Sequence, residues 1–188
     1  MTGTPGTGKS TFAKRLVARL KSDGINCSLI EVNDIVHKHK LYSGTDKSGA
    51  KIVRMAALNS MLSKNISGTK GIRVVVGHLI PDLRIKPNLT VVTRLDLDKL
   101  ERRLKARRYG KEKMRENLIS EAVDYCGQSS IKNGGEQYQV ESDVDKRDAI
   151  RYVALRAKGL KSRRPKAREY SKLGQLVHLI DRGNKYGF

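Results

Sequence analysis

The chain has 188 residues, the size of one domain with room for a mobile insert, and carries a formal net charge of +20. With 38% hydrophobic and 31% charged residues it holds enough apolar material for a core and is too balanced for a disordered or low-complexity protein. No segment approaches the roughly 20 consecutive apolar residues of a membrane span. Cys27 and Cys126 lie far apart without CxxC spacing or neighbouring histidines. That pattern excludes a zinc site or disulfide framework and fits a reducing, intracellular compartment. No cleaved leader is expected, since a glycine-rich pattern already begins at Gly3.

In chain order, Phe12, Leu16, Val17 and Leu20 share one helical face, so an amphipathic helix is expected over 10–20. Cys27 to Val32 reads as a strand, and Asn33 or Asp34 as the cap of a helix reaching His39. Apolar residues at helical spacing from Ile52 to Leu62 predict a helix over 51–62. Strands are expected over 72–76 and 89–93. Asp96 then caps a helix bearing Leu97, Leu100 and Leu104, and a further helix covers 111–125. Residues 127–135, rich in Ser, Asn and Gly, read as a loop. A last strand over 137–141 and a helix over 145–158 complete the core. Beyond Gly159 comes a basic connector containing Pro165, then a short apolar helix around 173–180. Strands alternating with helices predict an α/β fold, a parallel sheet covered by helices on both faces.

The positive charge is concentrated in two windows, 99–115 and 155–172, each with a net charge of +7. Such an excess points to a polyanionic partner, nucleotide phosphates or nucleic acid, or else to a solvated lysine-rich surface. The second window has only Tyr170 for base stacking, so phosphate contact is the expected mode with RNA.

The segment Gly3-Thr4-Pro5-Gly6-Thr7-Gly8-Lys9-Ser10 matches GxxxxGK[ST] in full. Glycines allow successive N–H groups to turn inward around an anion, and the helix that follows adds its positive end. Lys9 is placed for the β- and γ-phosphates of ATP, the Ser10 hydroxyl for Mg2+, and Thr11 for the α-phosphate. This is the signature of a P-loop NTPase. Arg102, Arg103, Arg107 and Arg108 ahead of Tyr109 form either an arginine lid that excludes water from phosphoryl transfer or a salt-bridged exposed helix.

Three blocks carry a family resemblance: GTPGTGKST over 3–11; Val32-Asn33-Asp34 followed by LYSGTD over 41–46; and RLKARRY over 103–109 with Glu116, Asn117 and Glu121. Through them the chain resembles the adenylate kinase isoenzyme 6 family, small nucleoside monophosphate kinases of archaea and eukaryotic nuclei that also act as ATPases in small-ribosomal-subunit assembly. The resemblance implies a kinase domain over 1–158, with a monophosphate-binding insert at 31–54 and a lid at 106–116, and a basic extension over 159–188. It implies that Gly6, Gly8, Lys9, Ser10, Thr11 and Arg107 bind ATP, that Lys9, Arg107 and His78 serve catalysis, and that Ser10 ligates Mg2+. Asp34 reads equally as a helix cap or a pocket residue. His78 could also be a buried strand-end histidine.

Departures accompany the match. Where the family carries an acid two positions before the histidine, this chain has Val76. Either metal binding rests on Ser10, water and phosphate, or Asp82 or another carboxylate compensates, or activity is reduced. Arg108 stands where the lid has glycine. The expected reaction is Mg2+-dependent transfer of the ATP γ-phosphoryl to a nucleoside monophosphate, AMP foremost, with ATPase activity linked to a small-subunit ribosomal protein and rRNA, in an archaeal cytoplasm. The alternative is a binding factor for RNA or a ribosomal protein with little turnover. Finally, a phosphate loop ordinarily follows a buried strand. Only Met1 and Thr2 precede Gly3, so the first strand is expected to be truncated and the central slot of the sheet unfilled, with the natural polypeptide beginning upstream.

Overall fold

A computed structural model of the chain describes residues 1–46, 49, 51–67, 70–162 and 172–181. Helix α1 (Lys9–Ser22) buries Phe12, Ala13, Leu16, Val17 and Leu20, the apolar stripe of the sequence. Strand β1 (Cys27–Glu31) passes directly into α2 (Val32–Lys38), with Glu31 as N-cap. The helix starts ahead of Asn33 and Asp34 because Val32, fully buried, packs with Val36 against Leu58 and Leu62. Strands β2 (Tyr42–Thr45) and β3 (Lys51–Val53) form an antiparallel hairpin. The helix expected from Lys51 therefore begins only at Met55, as α3 (Met55–Ser67). The β-branched pair Ile52-Val53 favours extended backbone, and the Lys51 ammonium sits 4.1 Å from the centre of the Tyr42 ring across the hairpin.

Strand β4 (Ile72–Val76) is followed by a 3₁₀ turn at Ile80–Asp82 and by β5 (Leu89–Thr93). Asp96 caps α4 (Leu97–Ala106), its carboxylate accepting the Lys99 N–H at 3.1 Å. Helix α5 (Lys111–Ala122) stops short of Tyr125 because Asp124 adopts a left-handed conformation, φ 53°, and caps a new helix, α6 (Tyr125–Ser130), by accepting the Gly127 N–H. The first part of the expected 127–135 loop is thus helical, and the Ser130 hydroxyl donates back to the Gly127 carbonyl. Strand β6 (Glu136–Val140) and α7 (Asp143–Ala157) follow, the helix opened by a reciprocal Ser142–Asp145 capping box. Helix α8 (Leu173–Asp181) is tied to α4 by Gln175, which accepts the Leu97 N–H and donates to Asp96. Most of the basic connector, 163–171, lies outside the described residues.

Strands β1 and β4 pair in parallel, as do β5 and β6. Met1 and Thr2 join the two pairs into one sheet. The Met1 amine donates to the Val75 carbonyl at 2.6 Å and the Gly77 N–H to the Met1 carbonyl. On the other side the Thr2 N–H donates to Val91 and the Thr93 N–H to Thr2, both at 2.9 Å. The order is β1, β4, Met1–Thr2, β5, β6. Val74 and Val76 pack against α1 and α7, while Val75 points to the opposite cluster under α2 and α3, so helices cover both faces. The central position expected to be unfilled is thus occupied at this end of the sheet by Met1 and Thr2. Beside Met1 a groove of about 700 Å³ runs between β4 and β5, walled by Ile72, Val74, Leu89, Val91, Leu16 and Val153. Among the described residues no helix is long and apolar enough to cross a membrane.

Candidate functional site

The glycine loop leaves the sheet at Thr2 and delivers its chain to the start of α1. Gly6 and Gly8 both hold φ near +95°, at 96° and 94°, a conformation that side-chain-bearing residues rarely adopt. A Cβ on Gly6 would come within 2.8 Å of Leu100, so helix α4 lies directly on the loop. Two threonines fix the loop from inside. The Thr7 hydroxyl meets Thr93 at 2.7 Å, and the Thr4 hydroxyl donates to Glu121 at 2.7 Å. The first turn of α1 carries neither a side-chain cap nor an acidic residue, which leaves its N–H groups to an anion.

Lys9 reaches back into the loop, its ammonium donating to the Thr4 carbonyl at 3.0 Å. Burial lowers its pKa to about 8, with Arg107 adding repulsion against the pull of Cys126 and Glu121. Arg103, on the exposed side of α4, donates to the Gly6 carbonyl at 3.1 Å. Arg107 caps the same helix one turn later and is exposed. The lid range 106–116 comprises the turn between α4 and α5 and the first half of α5, and the insert range 31–54 comprises α2 and the β2–β3 hairpin. His78 follows β4 at the same end of the sheet. Burial, then the charges of Lys9 and Lys113, push its pKa to about 4, with Asp82 opposing. The ring is therefore a neutral imidazole at physiological pH.

Lys9, Ser10, Arg107 and His78 thus converge on one end of the sheet, and Gly6 and Gly8 shape the loop between them. Thr11, the third residue of α1, is exposed. Three features could not be read as site residues from spacing alone. Arg103 is one. Another is Glu31, at the end of β1, whose carboxylate accepts the Ser10 hydroxyl at 3.0 Å and lies 3.5 Å from Lys14. The third is the buried group that anchors Thr4: Glu121 accepts from Arg94 Nε at 2.9 Å and from the Leu95 N–H at 2.9 Å, and Arg94 also meets Asp124 at 2.6 Å. Burial pushes the Glu121 carboxyl above its usual range, against the pull of Arg94 and Thr4.

The oxygen pair Ser10–Glu31 suits a hard divalent cation such as Mg2+, which takes oxygen ligands and keeps several waters. Among the described residues no three His, Cys, Asp or Glu side chains come together, so an all-protein cage for a transition metal is not built there.

A parallel sheet whose central position feeds a glycine loop and a bare helix N-terminus defines a P-loop nucleotide-binding protein. The chain belongs to the AAA domain family, which matches residues 1–124, from the loop through α5. It is 30% identical over 182 residues to a Methanococcus maripaludis protein named "Putative adenylate kinase", covering 96% of this chain and 98% of that one. Proteins of the same name from Halobacterium salinarum (32% over 155 residues, 80% and 83% of the two chains) and Archaeoglobus fulgidus (29% over 142 residues, 76% and 71%) are also similar. With these archaeal proteins it shares a kinase-like P-loop family.

Proposed function

We propose that the protein transfers the γ-phosphoryl group of ATP to a nucleoside monophosphate, AMP foremost, with Mg2+ as cofactor. The observation that carries this reading is the seating of α4 on the loop, which puts Arg103 on the Gly6 carbonyl and brings the Arg107 charge near enough to act on the Lys9 ammonium. The names of the archaeal relatives support it. In the reaction the bond between the γ-phosphorus and the β,γ-bridging oxygen breaks, its electron pair staying with ADP, as a monophosphate oxygen forms the new bond. Lys9 neutralises the charge gathering on the bridging and γ oxygens. Arg103 and Arg107 hold the phosphates and keep water out. Neutral His78 can orient a donor or acceptor but adds no charge. Mg2+, when bound beside Ser10, supplies charge neutralisation across the phosphates.

The isoenzyme 6 resemblance adds a finer reading, hydrolysis of ATP coupled to the small ribosomal subunit through a ribosomal protein or rRNA. The net charge of +20 supports a polyanionic partner. Incubating the protein with ATP and Mg2+, with and without each monophosphate, separates these activities. Two ADP formed per ATP consumed, only when AMP is present, is the expected result. Inorganic phosphate released at the same rate without AMP would make hydrolysis the principal reaction, and no product in either case would overturn both.

A further inference from the structure

At the end of β4, where the isoenzyme 6 resemblance implies an acid, this chain has Val76. In paired parallel strands, residues facing each other project to the same side of the sheet. Glu31 is the register partner of Val76, so the last residues of β1 and β4 face the start of α1 together. Val76 is buried among Ala13, Leu16 and Val17 and offers no oxygen. The oxygen that meets the Ser10 hydroxyl comes from one strand further out, from Glu31 Oε2 at 3.0 Å. Asp82, the other candidate carboxylate, is engaged instead with the Tyr125 hydroxyl and Lys132.

We propose that Glu31 is the acidic residue that positions Mg2+ beside Ser10, in place of a carboxylate at position 76. This rests on the reading of the loop as an ATP site. The Glu31 side chain is 23% exposed, within reach of solvent and of a hydrated cation. Its second oxygen pairs, among the described residues, with Lys14, whose side chain is 66% exposed. A surface pair of that kind binds weakly and leaves the carboxylate free to turn toward a cation or one of its waters. Removing the Glu31 charge therefore has opposite consequences for the two forms of the nucleotide. Mg2+-bound ATP loses an anchor for its cation, whereas metal-free ATP loses a repelling carboxylate.

The test measures binding of a non-hydrolysable ATP analogue as Mg2+ is raised from a chelator-controlled zero, in the full chain and in Glu31→Gln, Glu31→Asp and Lys14→Ala. Glu31→Gln should raise the Mg2+ midpoint about tenfold or more, as loss of a metal-orienting carboxylate does elsewhere, while metal-free affinity stays level or tightens. Glu31→Asp should lie between, and Lys14→Ala should match the unsubstituted chain. Mn2+ electron paramagnetic resonance with the same analogue gives a second readout and should show weaker ternary binding in Glu31→Gln. An unchanged midpoint in Glu31→Gln, or equal weakening of both nucleotide forms, would overturn the assignment. Failure of the unsubstituted chain to bind the analogue with or without Mg2+ would instead overturn the ATP-site reading on which it rests.

Discussion

The Lys9 ammonium donates to the carbonyl of Thr4, a group of its own loop, and its surroundings hold its pKa at about 8. Phosphate oxygens favour the charged form, so ATP binding should draw a proton onto Lys9 when that site is neutral. Affinity should be full below pH 8 and fall as pH rises beyond it, which ATP titrations from neutral pH to about 9.5 would show. Lys9→Ala should cost more than tenfold in turnover, about 1.4 kcal/mol or more of transition-state stabilisation, with the circular dichroism spectrum unchanged. Retention of more than a tenth of the turnover would remove Lys9 from the reaction. The loop was legible because its chemistry is contiguous: the residue types, their spacing and the helix that follows are all local. Arg103 was visible only as one arginine among four, since its bond to Gly6 depends on how α4 lands. Glu121 was visible only as part of the block that carries the family resemblance, and Glu31 only as the first residue of the insert, because each meets its partner across the fold.

At the scale of elements, the turn joining α4 to α5 holds Arg108 at φ 57°, a left-handed position suited to glycine. Arg108→Gly should therefore stabilise the protein by about 1 kcal/mol, seen as a higher urea midpoint at unchanged slope. A lower midpoint would mean that the arginine makes a contact worth more than the strain. Helix α5 is fastened to β5 and to the loop through Glu121 and Arg94, both almost fully buried. Glu121→Ala leaves the Arg94 charge without its principal partner and should destabilise by about 3 kcal/mol or more. Adding Arg94→Met should restore much of that loss while ATP affinity stays impaired, since the Thr4 hydroxyl still lacks its acceptor. Helices and strands with a complete apolar period, α1, β4, β5 and α4, were legible to within a residue or two. The β2–β3 hairpin was not, because its pairing is set by the partner strand, while Ile52 also satisfies a helical period. The start of α6 was hidden for a different reason: Asp124 in a left-handed conformation is not a feature that residue type announces.

For the molecule as a whole, the groove between β4 and β5 and the buried Met1 amine describe one weakness. In a polypeptide that starts at Met1, burial, then the nearby Lys9 charge, lowers the amine pKa from 8.0 to about 5. Unfolding restores the higher value, so stability should fall as pH drops from 8 toward 5. Extending the chain by five residues rich in Ile and Val turns the amine into a peptide N–H and lays side chains along Ile72, Val74, Leu89 and Val91. This should abolish that pH dependence and raise stability by about 3 kcal/mol or more, as burial of two aliphatic side chains does. Equal stability of the two forms would show that the groove does not accept a strand. The same dipeptide also sets an order in time. Met1 finds its partner 74 positions away at Val75, and Thr2 finds Thr93 at a separation of 91. The backbone hydrogen bonds that seat both residues run to these distant strands, and closing loops of that length is slow. Met1 and Thr2 are therefore among the last residues to be seated, and the phosphate loop takes its shape only after β4 and β5 have come together. During refolding, helical signal should return before the ability to bind nucleotide, which makes ATP capture a clock for the final step of assembly.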